Sequence, residues 1–292
     1  MSRLFLGLPA PAKLNLFLHV TGRRDDGYHE LQSLMVPITL ADTLDFELHE
    51  DGRIERSGDV IGPLEGDLCL RAATLLQQAS GTALGVDIAV EKRIPAGSGM
   101  GGGSSDAATT LLALNRLWNL GWPRERLAAL ALRLGADVPF FLGAGPALAE
   151  GVGERLTTIA WPAGWFAVIH PQVSVSTAEI FSASELTRST KALTIADFSA
   201  LRDNAARSGT SAPLQLFGVN DLEPVARGRY AGIEAAIAWL GRFGPTRMTG
   251  SGSAVFAALP SESAAQEAIG GLPAGWQGWA VSSLAEHPLA QW

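Results

Sequence analysis

The chain has 292 residues, 47% hydrophobic and 17% charged, with a formal net charge of −7 and a single cysteine, Cys69. That length supplies a sizeable core for one large or two ordinary domains. The acidic balance excludes a global attraction to nucleic acid or anionic lipid, and one cysteine excludes an internal disulfide and a thiolate metal cluster.

The N-terminal apolar stretches are interrupted by Pro9, Pro11 and Lys13. They are far too short to span a bilayer, which takes about 20 residues. They also lack a signal-peptide layout. A cytoplasmic protein with no membrane partner is expected. Leu14–Val20 reads as a strand, followed by a polar turn over residues 22–27 and then Tyr28 and His29. Leu31–Ile38 and Thr43–Leu48 read as two further strands. The pattern turns helical over Leu68–Gln78, where Cys69 reads as a small core side chain, and alternates again over Val86–Val90. Ala96–Asp106 is too rich in glycine for regular structure, and helical spacing resumes at Ala107, to be stopped by Gly121. A second helix is expected over Arg124–Leu134. A break at residues 161–164 sets an expected boundary between domains of 1–160 and 161–292. Beyond it, strands are expected over Trp165–His170, Ala254–Leu259 and Trp279–Leu284, helices over Gly232–Leu240 and Glu262–Ile269, and a surface loop over Arg202–Pro213.

The most informative stretch runs from Pro95 to Ala108, with five glycines among residues 97–103 between an expected strand and an expected helix. Glycines let backbone N–H groups turn inward on an anion, and a helix N-terminus adds orphan donors and the positive end of its dipole. Ser104 and Ser105 can cap that helix or reach a phosphate or a metal ion. Gly97, Gly99 and Gly102 also satisfy a dinucleotide fingerprint, but that pattern should open a βαβ unit with an acidic residue about 20 positions on, and only Glu125 falls near. A Walker A loop is excluded because no Gly-Lys-Ser/Thr follows. Phosphate binding is the reading of this loop.

Pro-x-Gly-x-Gly-x-Gly-Gly-Gly-Ser-Ser resembles the phosphate loop of the GHMP kinases. Residues 9–31, Leu134–Pro139, Ala149–Glu154 and Thr249–Gly252 resemble, in the expected order, the branch of that family whose substrate is 4-diphosphocytidyl-2-C-methyl-D-erythritol. The resemblance covers nearly the whole chain. It implies an α+β, two-domain α/β fold: an N-terminal domain like the second domain of ribosomal protein S5 and a ferredoxin-like C-terminal domain. It also implies ATP-dependent phosphorylation of that substrate's 2-hydroxyl, in the non-mevalonate route to isoprenoid precursors. ATP and Mg²⁺ are the expected cofactors, with Mg²⁺ arriving on the nucleotide rather than in a cage of protein ligands. The expected partner is a small molecule with a cytidine diphosphate head, bound by a monomer or homodimer. A mevalonate- or homoserine-type kinase is the alternative within the family; a dinucleotide-dependent oxidoreductase is the alternative outside it.

The resemblance assigns roles residue by residue. Asp137 takes the position of the general base, with Lys13 as its ammonium partner. The chain has only three lysines, Lys13, Lys92 and Lys191, among 22 basic residues, so a lysine kept in an apolar strand leader stands out. Against these roles stand the commoner fates of an Asp that caps a helix and a lysine that snorkels at a strand edge. Lys92 takes the place of a nucleotide-side lysine; its plainer fate is a solvated charge beside Arg93. Pro95, Gly97, Gly99, Gly101, Gly102, Gly103, Ser104 and Ser105 form the ATP loop. Asp67 stands where close relatives have an adenine-contacting Asn, which puts that contact in doubt. Asn15, Tyr28 and His29 are expected on the substrate side, Tyr28 stacking on cytosine and His29 bonding its edge. Thr177 and Phe181 align with a segment that closes over the cytidine.

Overall fold

A computed structural model describes residues 3–194, 197 and 216–292; the loop expected over Arg202–Pro213 lies outside the described residues. The chain opens with two long antiparallel strands, β1 (Leu4–Arg23) and β2 (His29–His49). β1 runs straight through Pro9 and Pro11, where the sequence suggests a break. Among the named strands β1 pairs only with β2, and an edge strand tolerates residues without an N–H. The two strands expected within residues 31–48 are one strand, because β2 continues through Pro37 opposite Lys13 at a register shift in the pairing.

β3 (Ile54–Gly58), β4 (Gly85–Glu91), β5 (Ala147–Gly151) and β6 (Arg155–Thr158) complete the first sheet, in the order β3-β4-β2-β5-β6 with β1 on β2. Its helices are α1 (Leu68–Ser80), α2 (Gly102–Leu117), α3 (Arg124–Ala131) and α4 (Val138–Phe141). The second sheet has the order β10-β7-β9-β8, from β7 (Trp165–His170), β8 (Thr246–Met248), β9 (Val255–Leu259) and β10 (Gln277–Ser282), all antiparallel. Around it lie α5 (Thr177–Ser182), α6 (Glu223–Arg229), α7 (Ala231–Leu240) and α8 (Glu262–Ile269).

Period-2 alternation assigns each strand residue to one layer. In the second sheet Phe166, Val168, Phe256 and Ala258 face the first sheet, packing with Leu14, Leu16, Leu34, Val36 and Ile38. Their neighbours Ala167, Ile169, Val255 and Ala257 face the opposite way, onto Ile233 and Ala236 of α7 and Ala265 and Ala268 of α8. On its other face the first sheet packs Leu44, Phe46, Val86 and Ile88 against Cys69, Ala72 and Leu76 of α1 and Ala108, Leu111 and Leu112 of α2. Helices therefore cover two sheets stacked face to face. Burying a large apolar side chain in such a layer contributes roughly 1.5–3 kcal/mol.

The expected start of the helix after the glycine loop is five residues late, since α2 begins at Gly102 rather than Ala107. Its glycines serve packing as much as irregularity. A Cβ on Gly102 would lie 3.0 Å from Ile94, and one on Gly103 3.4 Å from Leu68. Strands β3, β5, β6 and β8 and helices α4 to α6 are absent from the sequence reading. Ala147–Gly151 (ALAEG) shows why, for it has no β-branched residue and is a strand only because β2 and β6 flank it.

Candidate active site

A single cleft of about 1080 Å³ runs between the two sheets, from Arg56 and Asp67 past the glycine loop to Tyr28 and Phe181. Of the residues proposed from sequence, all but Ser105 line it.

Lys13 sits on β1 just past a register shift, and its backbone N–H donates to Met100 O at 2.9 Å, fixing the glycine loop to the strand. The ammonium is 3% exposed. It donates to Asn15 Oδ1 and lies 3.7 Å from Asp137 Oδ2. Burial lowers the Lys13 pKa, and the Asp137 carboxylate pulls it back up. Asp137 stands before α4, yet its side chain accepts no capping hydrogen bond and remains 41% exposed to the cleft. Its carboxylate is not spent on the helix, the commoner fate of an Asp in that position.

Asn15 is engaged on every side. Its Nδ2 donates to Ser33 Oγ at 2.8 Å, its N–H donates to Thr249 Oγ1 at 2.9 Å, and its Oδ1 takes Lys13. Its geometry is that of a brace for the ammonium. The 249–252 turn, from the second sheet, closes on the glycine loop. Ala254 N donates to Ser98 O at 3.0 Å, and a Cβ on Gly99 would lie 2.3 Å from Thr249 O. With φ of +77° as well, position 99 admits only glycine without strain. Gly101, at φ +75°, is packed against the Phe141 ring, 2.9 Å from where a Cβ would stand. Gly97, with φ +65°, carries the carbonyl that takes Ser253 N–H.

The serine caps expected for α2 are not found. Gly101 is the N-cap residue and no side chain caps it, because both serines fall inside the first turn. Ser104 faces the cleft; Ser105 is fully buried with its hydroxyl unpartnered and lies off the cleft wall. Lys92 is no solvated charge. Only 13% exposed, it pairs with Asp42 Oδ2 and, at 2.6 Å, with Asp106 Oδ2. Asp42 also accepts the backbone N–H groups of Arg93 and Ile94 through Oδ1. Burial drives the Asp106 pKa up to about 7, against the pull of Lys92. For Lys92, burial opposes the charge, and the two carboxylates outweigh it and raise its pKa. Two carboxylates share one ammonium, and Asp106 Oδ1 is buried without a partner. Beside the glycine loop this orphaned carboxylate oxygen suits a divalent cation bound together with phosphate. Among the described residues, no group of three or more His, Cys, Asp or Glu side chains could hold a metal ion.

At the far end Asp67 caps α1, its Oδ1 accepting from Cys69 N and Leu70 N at 2.8 and 3.1 Å, while Oδ2 takes Arg56 Nε at 3.2 Å. Pro95 lies on the wall between this corner and the loop. At the opposite end Tyr28 is 65% exposed, which excludes a structural plug. His29 lies against Phe181 with ring centroids 5.2 Å apart, and Thr177 Oγ1 shares a hydrogen bond of 2.7 Å with Ser251 Oγ.

Sequence reasoning misses Asp42, Asp106, Arg56 and Arg188. Asp42 and Asp106 had a signal, the first being an acid set in the apolar run of β2 and the second an acid in the first turns of the helix that leaves the glycine loop. Arg56 and Arg188 had none, because no local pattern marks the meeting of Arg56 with Asp67, 11 positions on, or of Arg188 with His29, 159 positions away. The dinucleotide alternative fails on topology. β4, which leads into the loop, and β5, the next strand in the chain, are not neighbours, because β2 lies between them and is antiparallel to both; the loop therefore opens no βαβ unit of adjacent strands, and the one such unit beside it, β3-α1-β4, ends where the loop begins.

Residues 67–145 match the family model described as the GHMP kinases N terminal domain, and residues 190–278 that of the GHMP kinases C terminal. The chain is 53% identical over 281 residues to the 4-diphosphocytidyl-2-C-methyl-D-erythritol kinases of Burkholderia multivorans and Burkholderia thailandensis, covering 96% of this chain and 94% of each relative. A crystal structure of 4-(cytidine 5'-diphospho)-2C-methyl-D-erythritol kinase superposes with a TM-score of 0.80 at 36% identity, over 96% of this chain and 98% of that one. The homoserine kinase from Cytophaga hutchinsonii has a TM-score of 0.68 at 17% identity, over 98% and 96% of the two chains, a likeness of fold alone.

Proposed function

The chain belongs to the GHMP kinases, in the branch of the 4-diphosphocytidyl-2-C-methyl-D-erythritol kinases, and from that premise we propose how its residues phosphorylate that substrate's 2-hydroxyl. The chain is a kinase that uses ATP and has the family's two-domain α+β fold. We place the division of the two domains at residues 160 and 161, on the support of the two separate sheets.

Phosphoryl transfer asks the protein for position and charge more than for covalent chemistry. The observation that carries the assignment is the Lys13 Nζ to Asp137 Oδ2 pair, 3.7 Å apart, beside the glycine loop in one cleft. In our reading Asp137 accepts the proton of the attacking hydroxyl. Lys13 lies beside that carboxylate and answers charge that develops during transfer. Asn15, Ser33 and Thr249 keep the ammonium from wandering. The backbone N–H groups of residues 97–103 and the start of α2 cradle the phosphates. Mg²⁺ bound with ATP would supply the charge that neutralises the phosphates there. Ser104 Oγ and Asp106 Oδ1 are the groups that would hold it, and Lys92 keeps Asp106 in place.

The cytidine head lies at the far end, where Tyr28 and Phe181 offer ring faces and His29 a polar edge, and Thr177 lines the same wall. A base stacked on an aromatic side chain gains roughly 1–3 kcal/mol. Asp67, committed to α1 and Arg56, forms the corner at the opposite, nucleotide end. We further propose a cytoplasmic monomer or homodimer that works without nucleic acid. No helix among the described residues is long and apolar enough to cross a membrane.

The test is ATP turnover with Mg²⁺ and a panel of 4-diphosphocytidyl-methylerythritol, mevalonate, homoserine and galactose. Phosphorylation of the cytidine compound alone is expected. Preferred phosphorylation of another alcohol in the panel overturns the substrate.

A further inference from the structure

Arg188 belongs to none of the motifs above, yet its guanidinium is pinned on every side in the segment after α5. Nη1 donates to Leu186 O at 3.0 Å, and Nη2 donates to Phe181 O at 3.1 Å and Ala183 O at 2.6 Å. Nε donates to His29 Nε2 at 3.1 Å. An arginine has five donors and no acceptor and keeps its charge in proteins. His29 Nε2 must therefore be the accepting nitrogen, and in the neutral ring the hydrogen sits on Nδ1. No hydrogen-bond partner for Nδ1 occurs among the described residues, and His29 lines the cleft between Tyr28 and Phe181. Burial, then the charges of Arg188 and Arg23, hold the His29 pKa below 6.5, so the ring is neutral at physiological pH.

We propose that Arg188 is a positioning residue that locks His29 in the Nδ1–H tautomer, so that the cleft meets its pyrimidine with one donor and selects cytosine over uracil. The proposal rests on the reading of His29 as a base contact. The two pyrimidines differ at ring nitrogen N3, which is a bare acceptor in cytosine and bears a hydrogen in uracil. A fixed Nδ1–H pairs with the first and is left facing a second donor in the other, and a donor buried without a partner is costly. A ring free to change tautomer would accommodate either base. The lock is what turns a histidine, an ambidextrous reader, into a selective one. Arg188 also secures the C-terminal end of α5, which carries Phe181. Loosening that helix weakens both bases equally, so the ratio between bases isolates the tautomer effect.

The experiment joins nitrogen-15 NMR of the His29 ring with kcat/KM for 4-diphosphocytidyl-methylerythritol and for its uridine counterpart, in wild type, Arg188→Leu and Arg188→Lys. The wild-type ring should show a bare Nε2 and a protonated Nδ1. Arg188→Leu should mix the tautomers and lower the cytidine-to-uridine preference by about ten- to a hundredfold. Arg188→Lys, which restores a donor, should recover most of that preference. A wild-type ring protonated on Nε2, or a preference unchanged in Arg188→Leu, overturns the proposal. The wild-type spectrum can overturn it even if the leucine variant does not fold. His29→Phe separates the two possible failures. If it keeps the preference, His29 does not read the base and the proposal falls with that reading. If it loses the preference while Arg188→Leu keeps it, Arg188 alone is removed.

Discussion

The two ends of the cleft are built on opposite principles. At the phosphate end Asp137 opens on the cleft, but the charged groups behind it are sealed: Lys13 is 3% exposed, Asp42 0% and Asp106 5%. Backbone bonds there tie segments far apart in the chain, Lys13 to Met100 and Ser98 to Ala254, and the glycines between them leave no room for a side chain. At the base end Tyr28 is 65% exposed, and the walls are rings and surface hydroxyls. The difference follows from what each end has to do. Charge that develops during transfer is stabilised only by groups already in place, in surroundings that cannot reorganise. A base that must enter and leave is better served by open aromatic faces.

That contrast can be broken or sharpened by substitution. The largest effect is expected at Lys13. Lys13→Met should lower kcat by about a hundred- to a thousandfold, as the loss of a preorganised donor does elsewhere, with KM for the cytidine substrate little changed; steady-state kinetics check both. Gly99→Ala comes next, because a Cβ there meets Thr249 O at 2.3 Å with φ at +77°. It should cost about 1–3 kcal/mol of stability and raise KM for ATP, read from a thermal melt and an ATP titration. At the base end the signature inverts. Tyr28→Ala should raise KM for the cytidine substrate by roughly five- to a hundredfold, from about 1–3 kcal/mol of lost stacking, and leave kcat within about twofold.

The smallest effects are in pH dependence. The Lys13 pKa lies below its ordinary 10.5 because of burial. Its positive charge is present at low pH and is lost as pH rises through that lowered value. The kcat profile should therefore fall on its alkaline side before pH 10.5, and fall earlier in Asp137→Asn, which lacks the carboxylate that holds the proton on. His29, held below 6.5, is neutral above its lowered pKa. KM for the cytidine substrate should stay flat down to that range and rise only as pH falls through it.

The same contrast decides what the sequence discloses. The glycine loop and its following helix are legible because local chain chemistry marks them, while Lys13 and Asp137, which do meet in the cleft, are singled out by the family resemblance. Trp165–His170 is legible as a strand to the residue because both its faces are buried. The partners that hold the reacting groups are less so. Asp42 meets Lys92 from 50 positions away and Arg188 meets His29 from 159; the first pairing exists only once β2 and β4 lie side by side, and the second only once the segment after α5 reaches the start of β2. Strand β3 (IERSG) is likewise hidden, because its polar residues take their place at the edge of the sheet from pairing with β4 rather than from any apolar alternation. The serine caps are mistaken for a related reason. Gly101 in the left-handed conformation starts α2 early, and the side chains that require glycine there, Phe141 and Ile94, lie on other segments.

The central claim is that Asp137, beside Lys13, takes the proton of the attacking hydroxyl. Its most direct test is a rapid-quench single turnover of ATP and the cytidine substrate on Asp137→Asn, with the affinities of both substrates measured on the same variant. We predict binding within about threefold of wild type and a transfer rate lower by roughly a hundred- to ten-thousandfold, the range for loss of a general base. A transfer rate near that of wild type, with both substrates bound, would contradict the account and move the base to another group in the cleft.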